Sequence, residues 1–152
     1  MDDACTRVDS AQMYHNERES GKAITDFLKS EANTDSLTRE DMHFTSKLAS
    51  NSAYETARKA ISRSVKEAGL GYIDLFLLHS PYGGKQARLD SWRAVEDAIN
   101  DGEVKTGGVS NYGIKHVSSP QLPCFLGGGG GFFLGLSRVA PYPMSSANTY
   151  PS

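Results

Sequence analysis

The stretch Ile73-Asp-Leu-Phe-Leu-Leu78 is a nearly continuous apolar run of strand length, and it is followed by His79. An almost unbroken apolar run is typical of a strand that is covered on both faces, as in a parallel sheet. The segments on either side alternate between short strand-like runs and amphipathic stretches. Strands that alternate with helices imply right-handed crossovers, so the sequence predicts a parallel α/β arrangement.

Working outward from this strand, the pattern predicts four strands and three helices before residue 117. We expect the strands at about 6–8, 42–46, 73–78 and 104–109. The first helix should start at Asn16, with Glu17 and Glu19 in its first turn. The second should start near Ser52, which has a capping-box spacing to Glu55, and should end at Gly69. The third carries apolar residues at helical intervals and should end near residue 102.

The predicted order β-α-β-α-β-α-β fits two architectures, a doubly wound sheet or part of a (β/α)8 barrel. A full barrel typically needs about 250 residues, so a chain of 152 residues can hold only about half of one. No G-x-G-x-x-G pattern follows a predicted strand, which weakens the case for a doubly wound dinucleotide-binding sheet. The fold class is therefore α/β, with the partial barrel as one of two candidates.

The pattern stops at about Ser118. Three prolines near the C-terminus and five consecutive glycines at 127–131 leave no usable periodicity there. Glycine and proline at this density favour a disordered tail. We therefore predict one domain over residues 1–117 and an irregular tail over residues 118–152.

Composition narrows the class of protein. The net charge is −2, which argues against a nucleic-acid binder that relies on a basic face. No apolar run approaches the length of a membrane span, and no charged-then-apolar leader opens the chain. Cys5 and Cys124 match no disulfide or zinc spacing. We expect a soluble, cytoplasmic chain with neither a nucleic-acid nor a membrane partner.

Four polar residues stand out by their position. Asp9, Lys47 and His79 lie at the ends of three successive predicted strands, and Tyr14 lies in the loop after Asp9. In a parallel barrel, the residues at the C-terminal strand ends face the mouth of the active site. Each residue alone has a plainer interpretation, as a loop cap, a packed aromatic, a solvated lysine or the end of a strand. Their placement at successive strand ends favours a shared site.

Such a set suits the reduction of a carbonyl. A phenol is a weak acid at neutral pH, and a nearby ammonium favours its phenolate. Asp9 could hold the ammonium of Lys47 in place, and His79 could form a hydrogen bond with the substrate oxygen. The combination can deliver a proton from Tyr14 to a carbonyl oxygen while a hydride arrives at carbon. No side chain supplies a hydride, so a nicotinamide cofactor would be required.

The segments that carry these residues resemble the aldo-keto reductase family. Asp9-Ser-Ala-Gln-Met-Tyr14-His-Asn-Glu17 is similar to its aspartate and tyrosine signature, and Phe44-Thr-Ser-Lys47 to its lysine segment. Residues 72–81 resemble its histidine segment, and residues 107–112 resemble the stretch that holds the nicotinamide carboxamide. The resemblance covers about residues 4–117, in order and without large gaps.

The resemblance implies strands 2 to 5 of a (β/α)8 barrel and the reduction of a small-molecule aldehyde or ketone with NADPH, without a metal. It implies that Tyr14 is the general acid, that Lys47 assists it, and that Asp9 pairs with the lysine. His79 would orient the carbonyl substrate. Three residues would contact the NADP(H) cofactor: Asp9, Ser110 and Asn111. Residues 79–84 and 91–95 are similar to fungal members, which allows a role in secondary metabolism.

The sequence also departs from the family. The strand that precedes the aspartate segment and everything after the fifth strand have no counterpart, so most of the cofactor cradle is expected to be missing. An open half barrel would leave two unpaired edges and apolar inner-face residues in water, which favours self-association. The alternative function is therefore an inactive truncated remnant or a non-catalytic interaction subunit.

Overall fold

The computed structural model describes residues 6–113, and the predicted tail at 118–152 lies outside the described residues. The sheet strands are β1 (Arg7–Asp9), β2 (His43–Leu48), β3 (Ile73–Leu78) and β4 (Val104–Val109). The α-helices between them are α1 (Glu17–Leu28), α2 (Tyr54–Ala68) and α3 (Gly84–Asn100). Two short 3-10 turns span Gln12–Tyr14 and Arg39–Asp41. The predicted order of strands and helices is confirmed.

The strands form one parallel sheet in the order β1-β2-β3-β4. Asp9 is paired with Thr45, and Lys47 with Leu77, which in turn is paired with Gly108. Residues paired in this way point to the same side of a parallel sheet, and the alternate residues point to the other side. The register therefore assigns every strand residue near the C-terminal edge to one of two faces.

All three helices pack on the face that carries Phe44, Leu48, Phe76 and Leu78. These four side chains are buried in one apolar cluster with residues of the helices, of which the largest are Ile24, Ile61, Trp92 and Val95. The apolar positions are spaced at about 3.6 residues in α2 and α3, so each helix turns one continuous stripe toward the sheet. The core that fixes the strand ends thus lies between the sheet and the helices.

The opposite face carries Asp9, Thr45, Lys47, Leu75 and Leu77. We expected the apolar residues of this face to meet water, and for Leu77 that expectation is wrong, because only 8% of the residue is exposed. The Leu77 side chain fills space that a larger residue would occupy at its paired position in β4. A Cβ atom at Gly108 would lie 2.7 Å from Leu77 Cδ2.

The main error in the predicted boundaries concerns the start of α2. Helix α2 begins at Tyr54 with Ala53 as its N-cap residue and has no side-chain cap, so the predicted capping box of Ser52 and Glu55 is wrong. Ser52 lies one residue too early, and its backbone N–H donates instead to Ser91 Oγ at 2.9 Å. The predicted end at Gly69 is confirmed, because this residue adopts the left-handed conformation at φ 65°. None of the helices within residues 6–113 combines the length and apolar character that a membrane span requires.

Candidate active site

The C-terminal ends of the four strands bring the predicted site residues to one edge of the sheet. Asp9 is the last residue of β1, Lys47 is the next-to-last residue of β2, and His79 directly follows β3. Ser110 directly follows β4. The parallel arrangement alone places these residues side by side, because all four strands run in the same direction. Strand β2 extends past the predicted end at residue 46, so Lys47 lies inside the strand rather than after it.

Lys47 is the most buried of these polar residues, with 9% of its side chain exposed. Its ammonium forms an ion pair with Asp9 Oδ1 and donates a hydrogen bond of 2.9 Å to the backbone carbonyl of Ser10. A buried ammonium is costly unless it is paired and hydrogen-bonded, and both conditions are met here. Asp9 itself keeps 63% of its side chain exposed, so the pair lies at the boundary between the sheet and solvent.

Tyr14 is presented to this pair by the 3-10 turn that follows β1. Lys47 Nζ lies 5.4 Å from the centre of the Tyr14 ring, within the range of a cation–π contact. The ring meets the His79 imidazole edge-on, with 6.1 Å between the ring centres and an interplanar angle of 85°. Tyr14 is 52% exposed, so a molecule from solvent can reach it. Lys47 and His79 therefore both lie close to the exposed Tyr14 ring.

The surroundings of His79 favour its neutral form. Burial lowers the pKa of the imidazole below its ordinary value of 6.5, the positive charge of Lys47 lowers it further, and Asp9 partly opposes these effects. Its Nδ1 atom is buried and has no hydrogen-bond partner in the part of the chain that the structure describes. A buried ring nitrogen without a partner is uncommon and costly, and it often marks a functional position. A neutral imidazole can donate one hydrogen bond and accept another.

The residues after β4 lie against the same histidine. The Ser110 backbone N–H continues the β3–β4 ladder with a 2.8 Å hydrogen bond to the carbonyl of Leu78. Asn111 Nδ2 donates to the His79 carbonyl at 2.9 Å and to Ser110 Oγ at 3.2 Å. The structure therefore brings all six predicted residues to one edge of the sheet: Asp9, Tyr14, Lys47, His79, Ser110 and Asn111.

Two residues at this edge were not identified from the sequence. Gln12 lies in the 3-10 turn with Tyr14, and its side-chain amide bonds to Ala49, Ala60 and Ser64. Asn51 follows β2, and its Nδ2 donates to the carbonyls of Ser80 and Tyr82 at 2.7 and 2.6 Å. In the sequence, Gln12 and Asn51 are marked only as amide residues close to a strand end. This feature is too common to identify them as part of a site.

Comparisons with known proteins agree with the geometry. The model of the family described as "Aldo/keto reductase family" matches residues 1–121. This match covers most of the 152 residues, and this chain belongs to the aldo-keto reductase family. The resemblance stated from the sequence motifs is confirmed.

Individual relatives support the same assignment. The chain is 49% identical over 123 residues to an uncharacterized oxidoreductase of Schizosaccharomyces pombe, a match that covers 77% of this chain and 42% of that protein. It is 34% identical over 111 residues to the glyoxal reductase of Bacillus subtilis, covering 72% of this chain and 37% of that protein. The chain thus spans about two-fifths of the length of these curated relatives.

The crystal structure of an aldo-keto reductase from Bombyx mori, solved in complex with NADP, superimposes with a TM-score of 0.64 at 29% identity. The match covers 74% of this chain and 38% of the Bombyx mori chain. Of the two architectures that the sequence allowed, the partial (β/α)8 barrel is confirmed. The four-stranded sheet is a segment of such a barrel, with its helices on the outer face.

Proposed function

We propose that this chain carries the proton-transfer centre of an NADP(H)-dependent reductase that converts an aldehyde or ketone to an alcohol. The observation that supports the proposal is the placement of Tyr14 between two partners. The ammonium of Lys47, fixed by Asp9, lies 5.4 Å from the centre of its ring, and the His79 imidazole meets that ring edge-on. A phenol beside a fixed cation and a neutral imidazole is suited to donating a proton to a carbonyl oxygen.

In this proposal each residue has one role. Tyr14 donates its hydroxyl proton to the carbonyl oxygen as negative charge develops there. Lys47 stabilises the phenolate that remains, and Asp9 keeps the ammonium in position. The lowered pKa of His79 favours the neutral imidazole, and one of its ring nitrogens can donate a hydrogen bond that orients the carbonyl. The phenolate then regains its proton from solvent, which its exposure permits.

The residues after β4 fit one end of a nicotinamide cofactor. A carboxamide offers both a donor and an acceptor, and the Ser110 hydroxyl and the Asn111 side-chain amide offer matching groups beside His79. The exposed Asp9 carboxylate can accept hydrogen bonds at the same edge. When bound, NADPH would supply the hydride that no side chain provides. The NADP complex of the Bombyx mori relative supports this choice of cofactor.

The test is an assay of NADPH consumption by the purified chain, with glyoxal as the first carbonyl because it appears in the name of the Bacillus subtilis relative. We expect Tyr14→Phe to lower turnover by at least about 100-fold, the loss typical of a removed general acid. Tyr82→Phe is the matched control, since Tyr82 is 80% exposed and contributes no side-chain hydrogen bond among those described. Equal activity of Tyr14→Phe and the wild type would contradict the proposal.

A fluorescence titration with NADPH separates the two functions considered from the sequence. Saturable binding by a folded chain, together with turnover that depends on Tyr14, supports the reductase. A folded chain that binds no NADPH and turns over no carbonyl would favour the non-catalytic interaction subunit.

Three finer expectations stay predictions. They are a role in fungal secondary metabolism, a cytoplasmic location and self-association through the open edges of the sheet. The similarity to the Schizosaccharomyces pombe oxidoreductase supports the comparison with fungal members. Sedimentation of the purified chain over a range of concentrations would test self-association, and a single monomeric species at all concentrations would contradict it.

A further inference from the structure

Gln12 lies in the same 3-10 turn as Tyr14 and is anchored through every group of its side-chain amide. Its Nε2 donates to the carbonyl of Ala60 at 3.0 Å and to Ser64 Oγ at 2.8 Å, both in helix α2. Its Oε1 accepts the backbone N–H of Ala49 at 2.9 Å. One side chain therefore joins the turn to two other elements of the fold.

The bond to Ala49 connects Tyr14 to the strand that carries Lys47. Ala49 directly follows β2 and is two residues beyond Lys47, just as Tyr14 is two residues beyond Gln12. The Gln12 amide thus joins the backbone of the lysine strand to the turn that holds the phenol ring. Any shift of the turn relative to β2 would stretch this bond, so the bond restricts the distance between the ring and the ammonium.

A second set of bonds reaches the same strand through the helices. Ser64 Oγ, which accepts from Gln12, donates to Glu17 Oε2 at 3.3 Å. Glu17 Oε1 accepts in turn from the hydroxyl of Ser46, the residue directly before Lys47. Ser46 and Ser64 are almost completely buried. The bonds of this network are partly buried, and together they connect the turn, α1, α2 and β2, which suits them to fixing the position of the turn.

Packing contributes little to holding this turn. Met13 and Tyr14 are more than half exposed. On the helix side of the turn, Gln12, Ala49 and Ser64 line an open cavity of about 580 Å³ between α1 and α2. Truncation of Gln12 would enlarge this cavity and would leave no packed surface against which the turn could settle. Backbone bonds from Tyr14 to Ala11 and from His15 to Gln12 shape the turn itself, and the hydrogen bonds of the Gln12 amide tie it to β2 and α2.

We propose that Gln12 is a positioning residue for Tyr14, which it holds in register with Lys47 and His79. The proposal rests on the proposed function, in which Tyr14 delivers the proton. Among the described residues, the Gln12 side chain bonds to neither Lys47 nor His79, so it acts through the turn. A misplacement of a reacting group by about 1 Å can cost about 100-fold in rate, so a loss of the restraint should affect the chemical step more than binding.

The variants are Gln12→Ala, which removes the amide, and Gln12→Glu, which keeps an acceptor for the Ala49 N–H but loses both donors. Gln86→Ala is the matched control, because Gln86 is exposed on α3 and, within residues 6–113, its amide bonds only to Asp90, at 2.9 Å in the same helix. Thermal unfolding of each variant establishes that it is folded at the temperature of measurement. If the alanine variant does not fold, the isosteric Gln12→Glu variant is used for the measurements instead.

The first readout is the NMR chemical shift of the His79 ring protons, which lie beside the Tyr14 ring and sense its ring current. Tyr14→Leu gives the reference value without that ring. We expect Gln12→Ala to move the His79 shifts most of the way toward this reference, Gln12→Glu to move them less, and Gln86→Ala to leave them unchanged. A purely structural role would lower the melting temperature without moving these shifts. Unchanged His79 shifts in a folded Gln12→Ala or Gln12→Glu variant would overturn the proposal.

The second readout is steady-state kinetics with NADPH and glyoxal. We expect kcat to fall about 10- to 100-fold in Gln12→Ala, while KM for the carbonyl changes less than about threefold. A rise in KM with an unchanged kcat would contradict a positioning role. If the wild-type chain shows no turnover, the proposed function fails, and the His79 shifts still decide whether Gln12 positions the Tyr14 ring.

Discussion

The side-chain amide of Asn111 donates a hydrogen bond of 2.9 Å to the backbone carbonyl of His79. This bond ties the turn after β4 to the turn after β3. Asn111 can make it because its backbone adopts the left-handed conformation at φ 60°, which asparagine tolerates better than most residues. The link between the two turns thus depends on a side chain and a backbone conformation at the same position.

Substitutions at Asn111 should separate these two contributions. Asn111→Gly and Asn111→Ala both lose the hydrogen bond, but only alanine meets the left-handed penalty of about 1–2 kcal/mol. We expect the alanine variant to have a free energy of unfolding about 1 kcal/mol below that of the glycine variant in urea titrations. Equal stabilities of the two variants would show that the left-handed conformation is not required at this position.

His79 should give the fold a pH dependence below neutrality. Burial is the main cause that holds its pKa below 6.5 in the native state, and the charge of Lys47 adds to it. The unfolded chain therefore binds the proton more readily than the native chain does. The contribution of His79 to the free energy of unfolding should fall as the pH is lowered through 6.5 and should level off below the native pKa of this residue. Urea titrations between about pH 7 and pH 5 test this: the free energy of unfolding of His79→Gln should fall less over this range than that of the wild type.

The charged neighbours of His79 provide the control for this assignment. The charge of Lys47 lowers the pKa of the imidazole and that of Asp9 raises it. In an NMR titration, Lys47→Met should therefore raise the pKa of His79, and Asp9→Asn should lower it. A shift in the same direction for both variants would contradict the electrostatic explanation.

Much of the fold was predictable because its strands and helices are local patterns. Strand β3 spans Ile73–Leu78, as its apolar run indicated, and β4 spans Val104–Val109, the range predicted for the last strand. The end of β2 was not predictable in the same way. A lysine normally faces solvent, and the burial of Lys47 within the strand is compensated by Asp9 and the Ser10 carbonyl, which are distant in sequence.

The strand-end residues of the site followed from topology, whereas their supporting contacts did not. Parallel strands bring Asp9, Lys47 and His79 to one edge whatever the details of packing. The role of Gln12 depends on carbonyl and hydroxyl groups of α2 that lie 48 and 52 residues away. No local pattern predicts such a contact, because it depends on how the 3-10 turn meets the helix after both have folded.

Arg39 should be important for stability at the opposite end of the sheet. Its guanidinium donates to three backbone carbonyls, those of Leu70, Met42 and Tyr72. It also pairs with the buried carboxylate of Asp74 at 2.8 Å. Lysine cannot reproduce this planar set of donors and would leave buried acceptors without partners. We expect Arg39→Lys to lower the free energy of unfolding by about 2–4 kcal/mol in urea titrations.

The exposed pair of Lys22 and Asp26 in α1 is the matched control for Arg39. Both side chains of this pair are mostly in water, so Lys22→Ala should cost no more than about 0.5 kcal/mol. A similar loss of free energy of unfolding in Arg39→Lys and Lys22→Ala would show that the three carbonyls bonded by Arg39 find other partners.

Two glycines should differ in whether their replacement can be rescued. A Cβ atom at Gly21 would lie 1.8 Å from the backbone carbonyl oxygen of Ala68, so Gly21→Ala must push α1 away from α2. A Cβ atom at Gly107 would meet only side chains, the nearest being Val95 Cγ1 at 2.7 Å. Gly107→Ala should therefore cost about 1–3 kcal/mol, and a second substitution, Val95→Ala, should make that cost smaller. A double-mutant cycle in urea measures the coupling between Gly107→Ala and Val95→Ala. Shortening a neighbouring side chain should not restore the stability that Gly21→Ala loses, because the atom nearest to the new Cβ is a backbone oxygen.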